Sequence, residues 1–432
     1  MNYIRQIIFE MRHHPLMTWL SIIGTAIAIF LIMSDYMIAN IDNVSVSPES
    51  RRSRIVYGYG VDIYYPEING SSCLSNQFAH EMYDNLDGAE LISYSSYDAF
   101  EQNMTTKGGI PEIRKVKAVD ENYWEIYDYN FEEGKPMTKE EVESGIRNVI
   151  LTRSTAENFF SKQESYLGRE IMIDGKSWTV SGIISDINPL LDISHSDAFI
   201  SHVAAGKLNE MTWSPYMGTY LPIILMKEGV DISHLKNQIK NRYDAFNAKH
   251  KSEDIRLVYH EQPWSIRERH ATAGTNKSPE SGGKDKMRLI GYAILLLVPA
   301  INLSSMTRSR MRQRVSEIGL RRAFGCTRGR IVADLLTENF ILTLIGGAIG
   351  LTLSIIFITC FSNYFISYVG MWLNSIELTK ARPSFMMLFS WRAFAAIVVF
   401  CLLLNIFSAG IPALKAAFTN PAEAINGLNN HK

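Results

Sequence analysis

Uncharged, strongly apolar segments recur at four places along the chain. Residues 16–34 and 289–306 carry no charge and are rich in aliphatic side chains, and two stretches at 340–361 and 393–414 have the same character. An α-helix needs about 20 apolar residues to cross the roughly 30 Å core of a bilayer. Because four such segments lie in one chain, buried helices of a soluble protein explain them poorly. The pattern predicts an α-helical membrane protein with four transmembrane helices.

Arginines are concentrated between the second and third apolar segments. Residues 307–334 contain eight arginines but only two acids, Glu317 and Asp334. Cytoplasmic loops of membrane proteins carry an excess of Lys and Arg, so we predict that this loop and the basic N-terminus are cytoplasmic. Four spans then return the C-terminus to the cytoplasm. They leave residues 41–286 outside, as a large domain inserted between transmembrane helices 1 and 2.

These two signals divide the chain into nine segments. The predicted order is a cytoplasmic amphipathic helix at 1–15, transmembrane helix 1 at 16–40, the extracytoplasmic domain at 41–286, transmembrane helix 2 at 287–306, the cytoplasmic loop at 307–334, transmembrane helix 3 at 335–362, a short extracytoplasmic connection at 363–391, transmembrane helix 4 at 392–414 and a cytoplasmic tail at 415–432. We interpret the first span as an uncleaved anchor rather than a signal peptide, because Asp35 and Tyr36 suit a cleavage site poorly.

The segment between the first two spans has the alternating pattern of an α+β domain. A D-G turn at Asp174 and Gly175, between β-rich runs at 170–173 and 177–184, predicts a hairpin. Other patterns predict strands at 114–119, 149–152 and 223–226, a helix at 154–160 with Ser154 or Thr155 as its N-cap, and a helix at 232–246. About 245 residues suffice for one large or two small domains, and we predict two subdomains.

Overall composition conceals this organisation. The 432 residues are 47% hydrophobic and 20% charged, with a net charge of -1 and a mean hydropathy of -0.03, values typical of a soluble protein. Residues 41–286, however, hold 27 basic and 37 acidic residues, so an acidic external domain is joined to a basic membrane part. The balance of 43 Lys and Arg against 44 Asp and Glu excludes a broadly basic nucleic-acid-binding protein.

Motifs of common enzyme sites are absent from the sequence. It contains no G-x-x-x-x-G-K-[ST] phosphate loop, no H-E-x-x-H or C-x-x-C metal motif and no G-x-S-x-G elbow, and its ten histidines are scattered. We therefore predict no catalytic, cofactor or metal site on this chain.

The arginine-rich loop contains the most distinctive motif. Val315, Ile318 and Ala323 can share one side of a short helix, and Gly325 and Gly329 can end it. The alternative is a solvated basic loop that only fixes topology. With R-x-x-E-I-G-L-R-R-A-x-G from position 314, G-G-x-x-G from 346 and N-P-A-E-A from 420, the sequence resembles the MacB/FtsX-like permeases of ABC transporters. Within residues 116–186, the external domain resembles that family's periplasmic core domain.

The resemblance implies a coupling helix that rests in a groove of an ATPase. The residues that it assigns to ATPase coupling are Arg314, Glu317, Ile318, Gly319, Arg321, Arg322, Ala323 and Gly325. Two permease subunits, as a homodimer or with a paralogue, would assemble with two ATPase subunits, which would bind the ATP and magnesium. The chain would lie in a bacterial inner membrane and transmit force across it. A periplasmic adaptor and an outer-membrane channel would join it in an efflux complex.

The sequence leaves three alternatives open. The same machinery could instead activate an external partner such as a cell-wall hydrolase. Gly346, Gly347 and Gly350 allow close helix packing, either between subunits or within one subunit. Asp35, near the outer end of the first span, is expected to face lipid headgroups, although a charge at such a depth also suggests function.

Overall fold

A computed structural model of the chain shows two compact units. The helical unit comprises Met1–Ile41, Gly282–Ser362 and Ser384–Lys432, and the sheet unit comprises Asp42–Ser281 and Asn363–Pro383. The structure describes residues 15–40, 44–97, 100–189, 191–206, 213–271, 278, 286–295, 297, 324–369, 389–400 and 402–403. The predicted amphipathic helix at 1–15 and tail at 415–432 therefore lie outside the described residues, except for Pro15.

The elements are numbered here in chain order. The helices are α1 Pro15–Asn40, α2 Asn76–Tyr83, α3 Tyr123–Ile126, α4 Lys139–Glu143, α5 Arg153–Phe160, α6 His202–Ala205, α7 Ile232–Lys249, α8 Ile266–Ala271 and α9 Arg328–Val369. The strands are β1 Ile55–Tyr57, β2 Val61–Tyr64, β3 Asn69–Leu74, β4 Ala89–Ser96, β5 Phe100–Thr105, β6 Glu112–Val119, β7 Phe131–Gly134, β8 Asn148–Thr152, β9 Glu170–Ile173, β10 Lys176–Ile184, β11 Ala198–Ser201, β12 Met217–Gly218, β13 Tyr220–Met226 and β14 Arg256–Val258. Residues 286–295 and Trp391–Phe400 are also helical.

The first sheet of the sheet unit is organised around β13. All seven residues of β13 are buried, and β1 and β4 pair with it in antiparallel fashion, while β3, β2 and β14 continue the sheet. Helices α2 and α7 supply the core that covers this sheet. The strand and the helix predicted at 223–226 and 232–246 are confirmed, and Leu235, Ile239, Tyr243 and Phe246 form the buried face of α7. Both elements are longer than predicted.

The second sheet closes on itself. Its strand order is β7-β10-β8-β11-β6-β5-β9, and β9 also pairs with β10, so six strands form a barrel and β7 extends it. The barrel has its own apolar core. The predicted hairpin is confirmed, since Asp174 and Gly175 have the positive φ of 45° and 76° that a tight two-residue turn needs. The sheet unit thus contains two sheets with separate apolar cores, and we call each sheet with its core a subdomain.

One predicted helix cap is wrong. We expected Ser154 or Thr155 to precede α5, but the helix already begins at Arg153 and follows β8 without a connecting loop. Thr152 therefore stands at the N-cap. Asp186 Oδ1 accepts the Ser154 backbone N–H at 2.9 Å, and the hydroxyls of Thr152 and Thr155 bond to each other at 2.8 Å. Local residue preference does not reveal a cap that a carboxylate 32 residues away supplies.

Two described helices are long and apolar enough to cross a membrane, at Thr18–Ile38 within α1 and Phe340–Phe361 within α9. The second and fourth predicted spans are described only in part, at 286–295, 297, 391–400 and 402–403. Helix α9 begins inside the predicted cytoplasmic loop and continues past the predicted end of its span at 362. Gly329 lies in the first turn of α9, so the prediction that it ends a helix is wrong.

Candidate functional site

The two segments that lead from the helical unit into the sheet unit contact each other. Residues 44–59 follow α1, and residues 262–271 precede the helical residues 286–295. Tyr57 N–H donates to the Trp264 carbonyl at 2.8 Å, and Trp264 N–H donates to the Tyr57 carbonyl, also at 2.8 Å. We call these two segments together the stem junction. The bridge ties both segments into one structural piece.

Aromatic and cationic side chains reinforce this bridge. The rings of Tyr59 and Trp264 lie 5.5 Å apart, and the Arg269 guanidinium lies 5.0 Å from the centre of the Tyr59 ring. A guanidinium over an aromatic face is attracted by the ring quadrupole. Arg269 Nη1 also contacts Asp192 Oδ2 at 2.5 Å, so this cation connects the bridge to another part of the sheet unit.

A buried ion pair lies in the first segment of the stem junction. Arg52 Nε and Glu49 Oε2 are 2.9 Å apart, and their side chains are only 2% and 1% exposed. Ser194 Oγ donates to Glu49 Oε1 at 2.7 Å. Removing one member of a buried ion pair leaves an uncompensated charge, so the two side chains must be kept together.

Tyrosine hydroxyls continue the polar network from the stem junction. The hydroxyls of Tyr57 and Tyr127 are 3.3 Å apart, those of Tyr123 and Tyr129 are 2.9 Å apart, and Tyr129 donates to the Ser194 carbonyl at 2.6 Å. Burial raises the pKa of all four phenols above the ordinary value. They therefore remain neutral and serve as hydrogen-bond donors and acceptors.

Asp120 joins the two sheets. It follows β6 of the barrel, yet its carboxylate accepts Ser93 Oγ and Tyr94 N, both from β4 of the first sheet, at 2.6 Å each. It also accepts Tyr123 N at 3.0 Å. Burial raises the pKa of Asp120 to about 7, and the hydrogen bonds from Ser93 and Tyr94 hold it below what burial alone would produce. The contact between the sheets thus contains a carboxyl that titrates near neutral pH.

The glycines singled out from the sequence pack against α1 of the same chain. A Cβ atom on Gly346 would lie 3.0 Å from the Ile22 carbonyl oxygen, and one on Gly350 would lie 2.5 Å from that of Ala26. Gly347 lies farther away, at 3.4 Å from Ile29. One turn later, Ser354 Oγ lies 3.1 Å from the Phe30 carbonyl oxygen and 2.8 Å from that of Gly350, so its single hydrogen is shared between these two acceptors. The two glycines therefore allow α9 and α1 to approach closely within one subunit.

Asp35 has partners that the sequence did not predict. Its Oδ2 accepts Tyr292 Oη at 2.5 Å and lies 3.1 Å from Arg288 Nε. Both partners belong to the helical residues 286–295, so this carboxylate connects the start of the second predicted span to α1.

Most of the predicted ATPase-coupling residues lie outside the described residues. These are Arg314, Glu317, Ile318, Gly319, Arg321, Arg322 and Ala323. Gly325 is described: it is exposed and has a φ of 87°, three residues before α9 begins. A positive φ favours glycine, which agrees with a chain reversal at this point.

The charged residues of the stem junction were missed at the sequence level. Glu49 and Arg52 stand in a polar run that looks solvated, and Asp192 and Arg269 are 77 residues apart. The i,i+3 spacing of Glu49 and Arg52 was the only available signal, and it does not reveal burial. Within the described ranges, no group of three His, Cys, Asp or Glu side chains is placed to hold a metal ion.

Two family models match the chain, and together they cover most of it. The MacB-like periplasmic core domain matches residues 18–242, and the FtsX-like permease C-terminal domain matches residues 289–421. The first match alone covers more than half of the chain, which defines the class as a membrane permease with a periplasmic core domain. The chain belongs to the MacB/FtsX-like family of ABC transporter permeases.

Curated relatives are described as ABC transporter permeases or, for MacB, as an ATP-binding/permease protein. The uncharacterized ABC transporter permease YknZ of Bacillus subtilis is 24% identical over 324 residues, 72% of this chain and 69% of its own. The macrolide export ATP-binding/permease protein MacB of Neisseria meningitidis (strain Z2491) is 24% identical over 79% of this chain and 48% of its own. The uncharacterized ABC transporter permease MJ1507 of Methanocaldococcus jannaschii is 25% identical over 79% of this chain and 77% of its own. The chain thus spans about half the length of that MacB.

Two solved structures resemble part of the chain. The periplasmic region of MacB from Actinobacillus actinomycetemcomitans has a TM-score of 0.35 and 13% identity, and the match covers 52% of this chain and 95% of that one. The extracellular domain of the noncanonic ABC-type transporter YknZ from Gram-positive bacteria has a TM-score of 0.32 and 14% identity, covering 46% and 99%.

Proposed function

We propose that this permease couples ATP hydrolysis by a separate ATPase subunit to movement of its sheet unit, and that it serves efflux or export across a bacterial inner membrane. In this mechanotransmission, the chain supplies no catalytic group. ATP and magnesium bind to the partner, and the helical unit carries the motion through the bilayer.

The apolar surface of the helical unit supports a location within the membrane. Large apolar side chains on the helices are exposed to about half of their possible extent, which would be unfavourable in water but suits lipid or a second permease subunit. Examples are Trp19 and Ile23 on α1, and Ile356 and Phe361 on α9. Four spans, with residues 41–286 inserted outside between the first two and both termini in the cytoplasm, are part of the proposal.

The stem junction is the observation that carries the proposal. The hydrogen-bond bridge between Tyr57 and Trp264 ties together the segments that leave α1 and that approach the second span. A displacement that reaches either of these segments would therefore act on both of them, because the bridge joins them. This is the connection that transmission of force requires.

The cytoplasmic contribution is the loop between the second and third spans. We assign the contact with the ATPase to the motif that includes Glu317, Arg321 and Arg322, because a docked basic helix explains its mixture of apolar and charged residues better than a solvated loop does. A second permease subunit completes the assembly. In an export complex the external partners are a periplasmic adaptor and an outer-membrane channel.

Export is preferred to activation of an external hydrolase because the MacB relatives are described as macrolide export proteins. The match with those relatives covers 48% of their length, so the substrate class stays part of the proposal.

The test is co-purification of the full chain with the ATPase from the same cells. Arg321→Glu together with Arg322→Glu should remove the ATPase from the complex or abolish the effect of the permease on its hydrolysis rate. Arg308→Glu with Arg310→Glu introduces the same charge change outside the motif and should leave the complex intact. If both double variants behave like the unmodified chain, the coupling assignment is wrong.

A further inference from the structure

One seven-residue loop of the sheet unit contacts both segments of the stem junction. Residues 191–197 precede β11. Ser194 Oγ donates to Glu49 of the first segment at 2.7 Å, and Asp192 Oδ2 accepts Arg269 Nη1 of the second segment at 2.5 Å. The segments that flank the first and second spans therefore each hold this loop by a charged side chain.

The far end of the same loop is bonded to the barrel. Asp197 Oδ2 accepts the Lys115 N–H of β6 at 3.0 Å, and the Asp197 N–H donates to the Lys115 carbonyl at 3.1 Å. The Asp197 carbonyl accepts Thr152 N–H of β8, also at 3.1 Å. Ser196 Oγ adds a 2.9 Å bond to the Lys115 carbonyl. Residues 196 and 197 are thus hydrogen-bonded to two strands of the barrel, β6 and β8.

The middle of the loop is held from the barrel side as well. The buried Lys117 ammonium of β6 donates to the Ile193 carbonyl. Tyr129 donates to the Ser194 carbonyl at 2.6 Å. A displacement of Asp192 or Ser194 by the stem junction is consequently passed to β6 and β11 within a few residues and not absorbed by slack chain.

We propose that residues 191–197 are the coupler that passes motion of the stem junction to the barrel, with Asp192 and Ser194 as positioning residues. This inference rests on the proposed function, since it specifies the route by which the force reaches one subdomain. The barrel moves relative to the first sheet because the coupler pulls on β6 and β11, while Asp120 limits the movement where the sheets meet.

Both stem contacts are largely shielded from water. Glu49 is almost fully buried in its pair with Arg52, so breaking its contact would leave an uncompensated charge. The side chains of Arg269 and Asp192 are 14% and 26% exposed, so losing their contact would also leave a poorly solvated charge. The stem junction therefore holds the coupler at both contacts, and Asp192→Asn weakens the second one without disturbing the pair of Glu49 and Arg52.

The experiment measures movement between the subdomains in the full permease–ATPase complex in nanodiscs. Spin labels replace Lys176, in the barrel hairpin, and Lys249, at the end of α7, in a chain whose native cysteines are serines; both lysines are exposed. Their distance distribution is recorded with and without Mg-ATP. We expect a shift on Mg-ATP in the parent chain, loss of at least half of that shift with Asp192→Asn, and an ATPase rate within twofold of the parent.

Matched variants separate coupling from damage to the fold. Glu132→Gln weakens an ion pair between β7, which extends the barrel, and Arg153, and it should retain the full shift because neither residue belongs to the stem junction or to residues 191–197. Asp192→Glu keeps the negative charge and should therefore keep the shift in distance on Mg-ATP. If Mg-ATP shifts the distance distribution of the parent chain and of Asp192→Asn equally, residues 191–197 are not the coupler, while the proposed function stands. If the parent itself does not respond to Mg-ATP, the proposed function fails and the coupler fails with it.

Discussion

The stem junction and the packing of α9 against α1 hold their segments together by opposite means. In the stem junction, buried charges and hydroxyls make specific hydrogen bonds, as in the pair of Glu49 and Arg52. Between the two long helices, Gly346 and Gly350 remove side chains so that the helix backbones can touch. In lipid, apolar burial does not drive helices together, so close packing must replace it. In water, polar contacts give the junction one defined geometry.

This difference suits the proposed roles of the two regions. Hydrogen bonds hold their atoms within a narrow range of distances and angles, so a polar network leaves little slack between the segments that it joins. A packed helix face tolerates small sliding movements, provided that no large side chain intervenes. We therefore expect the stem junction to be sensitive to changes of charge and the helix pair to changes of volume.

The largest effect should come from breaking the buried ion pair. Arg52→Met leaves Glu49 charged and buried, which costs about 3–5 kcal/mol of stability. Native-state hydrogen exchange of the sheet unit in the full chain measures this loss. Replacing both residues, with Glu49→Leu added, should cost less than the single change, because no unpaired charge is then left. A loss below about 1 kcal/mol for Arg52→Met would contradict the role given to this pair.

A change of volume should have the next largest effect, in the helical unit. Gly350→Leu places a side chain where even a Cβ lies 2.5 Å from the Ala26 carbonyl oxygen, so we expect a loss of about 1–3 kcal/mol. Thermal unfolding in detergent micelles measures it. Gly24→Ala is the control, since nothing lies within 4 Å of a Cβ added there. Equal melting temperatures for the two variants would show that α9 and α1 do not pack in this way.

The contact between the sheets should weaken as the pH rises. The folded-state pKa of Asp120 is about 7, against an ordinary value of 3.8, so between these values the folded chain holds a proton that the unfolded chain has lost. Stability therefore falls as the pH rises through this window, by about 1.4 kcal/mol for each full pH unit. Hydrogen exchange of β4 and β6 between pH 5.5 and pH 7 measures the slope.

Two variants sharpen this test. Asp120→Asn should flatten the slope, although it costs stability at every pH because the amide cannot accept all three donors. Ser93→Ala removes a bond that lowers the pKa of Asp120, so the slope should extend to higher pH. An identical slope in Asp120→Asn and the parent chain would assign the titration to another group.

The smallest effect should come from a hydroxyl between the helices. Ser354→Ala removes the bond to the Phe30 carbonyl and should cost about 0.6 kcal/mol, since such bonds contribute little in membranes. Thr352→Ala is the control, because Thr352 bonds only to its own helix at the Ala348 carbonyl among the contacts described here. If Ser354→Ala lowered the stability by more than about 2 kcal/mol, polar contacts would dominate the packing of α9 on α1 as well. The contrast with the stem junction would then disappear.

Local patterns in the sequence predicted the elements that local physics controls. The D-G hairpin and the apolar face of α7 follow from residues close together in the chain, and both are confirmed. The cap of α5 was predicted wrongly because Asp186, from a distant segment, takes part in it. The coupling motif near Arg321 rests on the resemblance alone and stays a prediction.

The sequence by itself determined the apolar segments, the acidic external domain beside a basic membrane part, and the motifs that identify the family. Only the tertiary structure decided which charges are buried and what they contact. Ser194 contacts Glu49 across 145 positions, and Tyr57 bonds to Trp264 although most strands of both sheets lie between them in the sequence. The hydropathy of a segment depends only on its own residues, so it can be assigned directly from the sequence. The environment of a charge depends on partners that folding brings together, and no local pattern records them.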